Sequence, residues 1–346
     1  MAATIRQLLN PSKLRQIVAN IPNVARFSTH IQLFSNVTYN PGYSRDPEEL
    51  FFREDVQQLL NNLTVCDYNV VFRPRKLGVK LDAPTYELMT KEELDSALDK
   101  VKQLAKTKLK MPPLLNERKP FNKVLAKNPE LQGFDSAQYV FTDITYGVSH
   151  RTRKIVVRDP DGTLRDATWE ERGKVNQIYF PQQGRELQKP KMFEDEYLNK
   201  CLKQEEYTFI LDRACVQFEP DDPDYIRVTR KTYDCIDENH HYASLQSTRH
   251  FGPMVLHLLL SKRIDDLLCH FLNERRIESA GNLVKLFCLV EANSSLMENN
   301  STNEQLIQGY IKHCALKKSI LELAWETYLE IIKQEANICE VKELSN

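Results

Sequence analysis

"SHRTRKIVVRDPDGTLRDATWEER", Ser149 to Arg172, decides that this chain is not purely helical. Lys154-Ile155-Val156-Val157-Arg158 is β-branched at its centre and predicts a strand. Asp159-Pro160-Asp161-Gly162 has the composition of a tight turn, and Thr163-Leu164-Arg165 returns from it. Thr168 then stands three residues before Glu171, the capping-box spacing that opens a helix. Trp169 enters that helix and Tyr179-Phe180-Pro181 ends it. Upstream, Tyr139–Tyr146 alternates at period two and supplies a further strand. The unit is a small antiparallel sheet with a helix. Ser149–Arg158 holds His150, Arg151, Arg153, Lys154 and Arg158 and no acid. That pattern fits either a solvated hairpin or an edge that binds phosphate.

Around this unit the periodicity is helical. Val56, Leu59, Leu60 and Leu63 form one stripe of a helix over Glu54–Leu63. Pro74 and Pro84 bracket an extended link. Thr90 and Glu93 make a second capping box, and Leu94, Ala97, Leu98, Val101, Leu104, Ala105 and Leu109 follow at the helical period. Acids lead this helix and lysines close it, as the helix dipole favours, before Met111-Pro112-Pro113 stops it. After Pro190 the spacing predicts helices over 194–201, 207–218, 224–236, 248–260, 264–273, 279–290 and 303–335, with a polar loop over 293–303. The fold class is therefore α+β, mainly α: a small central antiparallel sheet followed by an irregular, tetratricopeptide-like array of amphipathic helices. The organisation reads as 1–45, a targeting segment; 46–135, helical and extended; 136–192, strand, hairpin and helix; and 193–346, the helical array.

The chain has 346 residues, 41% hydrophobic and 27% charged, with a net charge of −1. That bulk buries a core, and it excludes a nucleic-acid grip spread over the whole surface. The 10 glycines argue against Gly-rich phosphate loops. Cys66, Cys201, Cys215, Cys235, Cys269, Cys288, Cys314 and Cys339 contain no C-x-x-C pair, and they read as small buried hydrophobes in a reducing compartment. No apolar run approaches a membrane span. Residues 1–45 contain no Asp or Glu, while Arg6, Lys13, Arg15, Arg26 and Arg45 punctuate apolar residues at helical spacing. That is the pattern of a mitochondrial transit peptide.

Motifs of chemistry are absent: there is no Walker loop, no G-x-S-x-G, no H-E-x-x-H and no S-x-x-K. His240 and His241 are adjacent and on a helix would point about 100° apart. His250 and His257 share a face of an apolar helix, where a core histidine outweighs a proton relay. Asp221-Asp222 and Asp265-Asp266 sit at turns or helix starts, where capping accounts for them. Arg227, Arg230 and Lys231 share one helix face that Asp234, Asp237 and Glu238 can balance. No metal or cofactor is implied.

Six blocks in order carry a resemblance: "PTYELMTKEEL" (Pro84–Leu94), "KMPPLLNER" (Lys110–Arg118), "YVFTDITY" (Tyr139–Tyr146), "GTLRDATWEER" (Gly162–Arg172), "FEPDDPDYI" (Phe218–Ile226) and "STRHFGPMV" (Ser247–Val255). Together they resemble the family of the mitochondrial small-ribosomal-subunit protein numbered twenty-two. Pro253 stands where a second glycine is expected after Gly252, which bears on the start of the helix there. The resemblance implies a structural protein of the mitochondrial small ribosomal subunit that touches neighbouring ribosomal proteins and small-subunit ribosomal RNA, with no catalytic residues. On that reading Arg151, Arg153, Lys154, Arg158 and Arg165 are the candidate RNA contacts. Trp169, Arg249, His250 and Phe251 are candidates for protein contact or packing. The rivals are a helical-repeat adaptor outside the ribosome and a matrix enzyme using His250.

Overall fold

Hydrophobic spacing and local capping set most of the helices seen in the computed structural model, which describes residues 45–73, 86–133, 135–291 and 302–344. Residues 1–44 of the 1–45 targeting segment, the Pro74–Pro84 link and most of the 293–303 loop lie outside the described residues. Three helices come first among the described residues: α1 (Pro47–Phe51), α2 (Glu54–Leu63) and α3 (Tyr68–Val71). The stripe of α2 is buried at Val56, Leu60 and Leu63. Next, α4 (Lys91–Lys108) starts at Thr90, whose hydroxyl accepts from the Glu93 amide while the Glu93 carboxylate accepts from the Thr90 amide. Only Val101 and Ala105 of its apolar stripe are buried, and Leu94 is exposed.

The sheet has four antiparallel strands, β1 (Val124–Lys127), β2 (Tyr139–Thr142), β3 (Ile155–Arg158) and β4 (Thr163–Asp166), in the order β1-β4-β3-β2. Sequence predicts the hairpin β3–β4 and the strand β2 but not β1. Gly162 closes the hairpin at φ +81°, and a Cβ there would meet the Asn128 carbonyl, so the turn needs glycine twice over. Helix α5 (Trp169–Tyr179) starts at the Thr168/Glu171 capping box and covers one sheet face. Ile155, Val157 and Ala167 pack there with Val175 as a core separate from the main one.

Eight further α-helices follow among the described residues: α6 (Asp195–Lys203), α7 (Tyr207–Gln217), α8 (Pro223–Glu238), α9 (Phe251–Leu260), α10 (Asp265–Asn273), α11 (Ile277–Glu291), α12 (Asn303–His313) and α13 (Lys318–Leu344). One continuous core joins them, and it includes Leu60 and Leu63 because α2 packs on α9 and α11. Four ends in this array share one device. Glu205, His240, Lys262 and Arg275 each adopt φ between 55° and 59° just past a helix. After α9, for example, the Arg263 amide reaches the Leu258 carbonyl and the Lys262 amide the Leu259 carbonyl. This is a Schellman closure without glycine. Pro253 sits in the first turn of α9, where its missing N–H removes no helical bond and the Met254 amide already bonds the His250 carbonyl.

Two expectations change. The segment expected as one helix over 303–335 is two, α12 and α13. The Cys314 and Ala315 amides both return to the Tyr310 carbonyl, and the chain restarts at Lys318. Of the cysteines, Cys288 is buried and Cys66 exposed; Cys201, Cys215, Cys235, Cys269 and Cys314 are half-buried.

Candidate nucleic-acid interface

The strand that carries no acid meets its acids in space. Arg151 pairs with Asp221, whose side chain is 3% exposed, in the turn between α7 and α8. Arg118 pairs with Asp222 of the same turn, and the Arg118 amide donates to the Asp221 carbonyl. Asp222 also caps α8 by accepting from the Asp224 amide at 2.9 Å. Burial pushes the Asp222 carboxyl up, against the pull of Arg118. The Phe218–Asp224 turn is thus a socket that seats the sheet unit on the helical array. Arg185 reinforces this seam through Glu219 at 3.1 Å and the Gln217 carbonyl at 2.6 Å.

Arg153 points inward. Only 2% of it is exposed, and its guanidinium donates to the carbonyls of Asp143 (2.6 Å), Thr145 (3.0 Å) and Val148 (3.0 Å). Its Cζ lies over the Phe180 ring, 3.7 Å from the ring centre. Lys154 bonds Asp166 on β4, yet its side chain stays 60% exposed. Arg165 is gripped by Asp159 at 2.7 Å and 3.2 Å and by Glu171 at 2.8 Å and 2.9 Å. Arg158, half-buried, has no side-chain partner among the described residues. The fold therefore does not present the five cations as one outward row: Arg153 is internal, and Arg151, Lys154 and Arg165 answer acids of the same chain. Sequence reading missed Asp166 and Asp221 as partners, because pairing across a sheet or across the chain leaves no local spacing.

The Arg165–Glu171 pair makes the unit pH-sensitive. The hydrogen bonds from Arg165 hold the Glu171 carboxyl down at about 2, against an ordinary value of 4.5. A depressed carboxylate stabilises the fold above its unfolded value and loses that stabilisation as pH falls towards the folded one. We expect the sheet unit to weaken between pH ~4.5 and ~2 and Glu171→Gln to flatten that part of the profile. Both groups are partly solvent-screened, so the pair contributes about 1 kcal/mol. Trp169 fluorescence in a Trp325→Phe background reads this out. Identical profiles with and without Glu171 would rule the coupling out.

The remaining candidates pack inside the chain. Trp169 donates from its indole to the Lys119 carbonyl at 2.8 Å and lies beneath Arg118 and Arg172. Arg249 and His250 share Asp212, Nη2 at 2.7 Å and Nε2 at 3.0 Å, with His250 only 1% exposed. Phe251 is fully buried. His257 bonds Asp234 at 3.0 Å. Burial raises the Asp234 carboxyl, but its hydrogen bonds with His257 and Arg263 outweigh that and bring it to about 2. Arg227, Arg230 and Lys231 line an open cleft of about 930 Å³ together with Glu205, Asp234 and Glu238. Asp195 answers Arg227 at 2.9 Å and Lys231 at 3.1 Å, so the cleft is charge-balanced. Among the described residues no cluster of His, Cys, Asp and Glu could hold a metal, and no helix is long and apolar enough to cross a membrane.

A continuous helical core, a small sheet seated on it by ion pairs, and histidines tied to buried or half-buried acids define an assembly scaffold. The chain belongs to the family described as mitochondrial 28S ribosomal protein S22, whose model matches residues 49–292. Small ribosomal subunit protein mS22 of Mus musculus is 41% identical over 295 residues, covering 84% of this chain and 82% of the relative. The protein of the same name from Bos taurus is 40% identical over 284 residues, covering 81% and 79%.

Proposed function

We propose that this chain is a structural component of the small subunit of the mitochondrial ribosome. It supports mitochondrial translation by contacts with neighbouring ribosomal proteins and with small-subunit ribosomal RNA. The observation that carries this is the match to relatives named as small-subunit ribosomal proteins, at about 40% identity over some four-fifths of both chains. Its place of work is the mitochondrion. It acts by buried contact, and no step of catalysis is assigned to it. The half-buried and exposed thiols are suited to a compartment that keeps them reduced.

Sedimentation of mitochondrial lysate through a sucrose gradient tests the reading directly. The protein is expected with the small subunit and, under translating conditions, with the intact ribosome. Recovery in light fractions alone would mean an adaptor that works outside the ribosome.

A further inference from the structure

Helix α5 packs on one face of the sheet, and on the other face the β2 end stands exposed among the described residues. Strand alternation and register define it. Ile155 and Val157 are fully buried under α5, so Lys154, Val156 and Arg158 point the opposite way. Tyr139 lies directly across from Arg158, and Phe141 across from Val156, which puts both aromatics on that open face. They are 48% and 53% exposed, on a strand with no neighbour beyond it among the described residues. The Tyr139 hydroxyl donates to Asp135, which anchors the edge of the ring. Lys154 and Arg158 flank the two rings, and Asp166 beneath Lys154 is buried.

We propose that this open face, built on Tyr139 and Phe141 with Arg158 and Lys154 beside them, stacks unpaired bases of single-stranded ribosomal RNA. The proposal rests on the ribosomal reading and deepens it. Rings at alternate positions of a strand stand roughly 7 Å apart, room for two splayed bases. Aromatic side chains on an open sheet hold such bases by their π-faces, and cations beside them take the phosphates. Asp135 repels phosphate at the hydroxyl end of Tyr139, so the sugar-phosphate chain runs along the Arg158 and Lys154 side. The unit has the charge for it: residues 119–179 hold 10 Lys and Arg against 8 Asp and Glu, net +2, whereas the whole chain is −1. A protein partner fits less well. The core of a protein interface is depleted in lysine, and here Lys154 stands at the end of β3 on the same face with its side chain exposed.

Ultraviolet irradiation of intact small subunits, followed by mass spectrometry of the tryptic peptide that carries Tyr139 and Phe141, tests this. A nucleotide adduct on either ring is expected. The double variant Tyr139→Leu with Phe141→Leu is expected to sediment with the small subunit, to lose that adduct, and to bind a short oligouridylate roughly tenfold more weakly as purified protein. Adducts elsewhere on the chain with none on this peptide would overturn the proposal. So would chemical crosslinks that seat a neighbouring protein on the two rings. If the double variant does not join the subunit, Arg158→Gln decides: unchanged sedimentation with a lower adduct yield supports RNA, and an unchanged yield refutes it. A wild-type protein absent from the small-subunit fractions is a failure of the ribosomal reading itself.

Discussion

Replacing Asp265 by Ala is expected to lower stability by about 3–5 kcal/mol, the largest effect of any single substitution considered for this chain. Asp265 is 6% exposed and opens α10, but it does not cap that helix. Its Oδ1 accepts the Tyr310 hydroxyl at 2.6 Å, and its Oδ2 accepts the amides of Leu316 and Lys317 at 2.8 Å each. Those amides lie at the entry to α13, so the carboxylate caps it from outside. Asp266 adds a pair with the Lys317 ammonium at 2.7 Å. Alanine would leave a buried hydroxyl and two amides at a helix start without their acceptor, and each buried unsatisfied group costs about 1–3 kcal/mol. Asn keeps an oxygen and should cost less, about 1–2 kcal/mol, because it accepts without the charge. Tyr310→Phe removes one donor and leaves the cap intact, at about 1 kcal/mol. Denaturant midpoints rank the three, and protease cleavage between Cys314 and Lys318 should quicken for Asp265→Ala. A variant as stable and as resistant as wild type would show that α12 and α13 are joined by something else.

Asp265 also shows where sequence reading stops. Asp265-Asp266 at a helix start reads as a local cap, yet its bonds run to residues about fifty positions later. The break it fixes contains neither Gly nor Pro, so the periodicity of α12 runs on into α13 without a visible stop. The ends at Glu205, His240, Lys262 and Arg275 are silent for the same reason: each takes a left-handed residue that is not glycine. Strand β1 is short and exposed throughout, with a register shift between Val124 and Ala126, so no alternation marks it. What reads clearly is local chemistry. The capping boxes at Thr90 and Thr168 and the turn at Asp159–Gly162 each need only residues within a few positions of one another, and all three stand where spacing puts them. The candidate site was legible as charge and not as geometry. Ten residues without acid are plain in the sequence. That Asp221 answers Arg151, and that Arg153 turns inward, depends on how the sheet docks.

The second large effect falls on that inward arginine. Arg153→Met is expected to cost about 3 kcal/mol, because hydrogen bonds from a charged donor contribute roughly 1.5–3 kcal/mol each and several are lost together. The cost stays below their sum because the carbonyls of Asp143, Thr145 and Val148 belong to a loop that is largely exposed, where water can replace part of what the guanidinium gave. Met retains the apolar stem against Phe180 and so isolates the polar contribution from the packing one. Arg153→Lys is expected to be nearly as damaging: an ammonium cannot spread over carbonyls in one plane while lying flat on a ring. Hydrogen exchange should locate the damage in residues 143–149 and β2, while α9 to α11 keep their protection. If instead Arg153 served chiefly as a phosphate contact, both variants would fold with wild-type protection of that loop and lose RNA binding with a reduced salt dependence. The two outcomes are distinct, and the burial of the guanidinium under Phe180 favours the first.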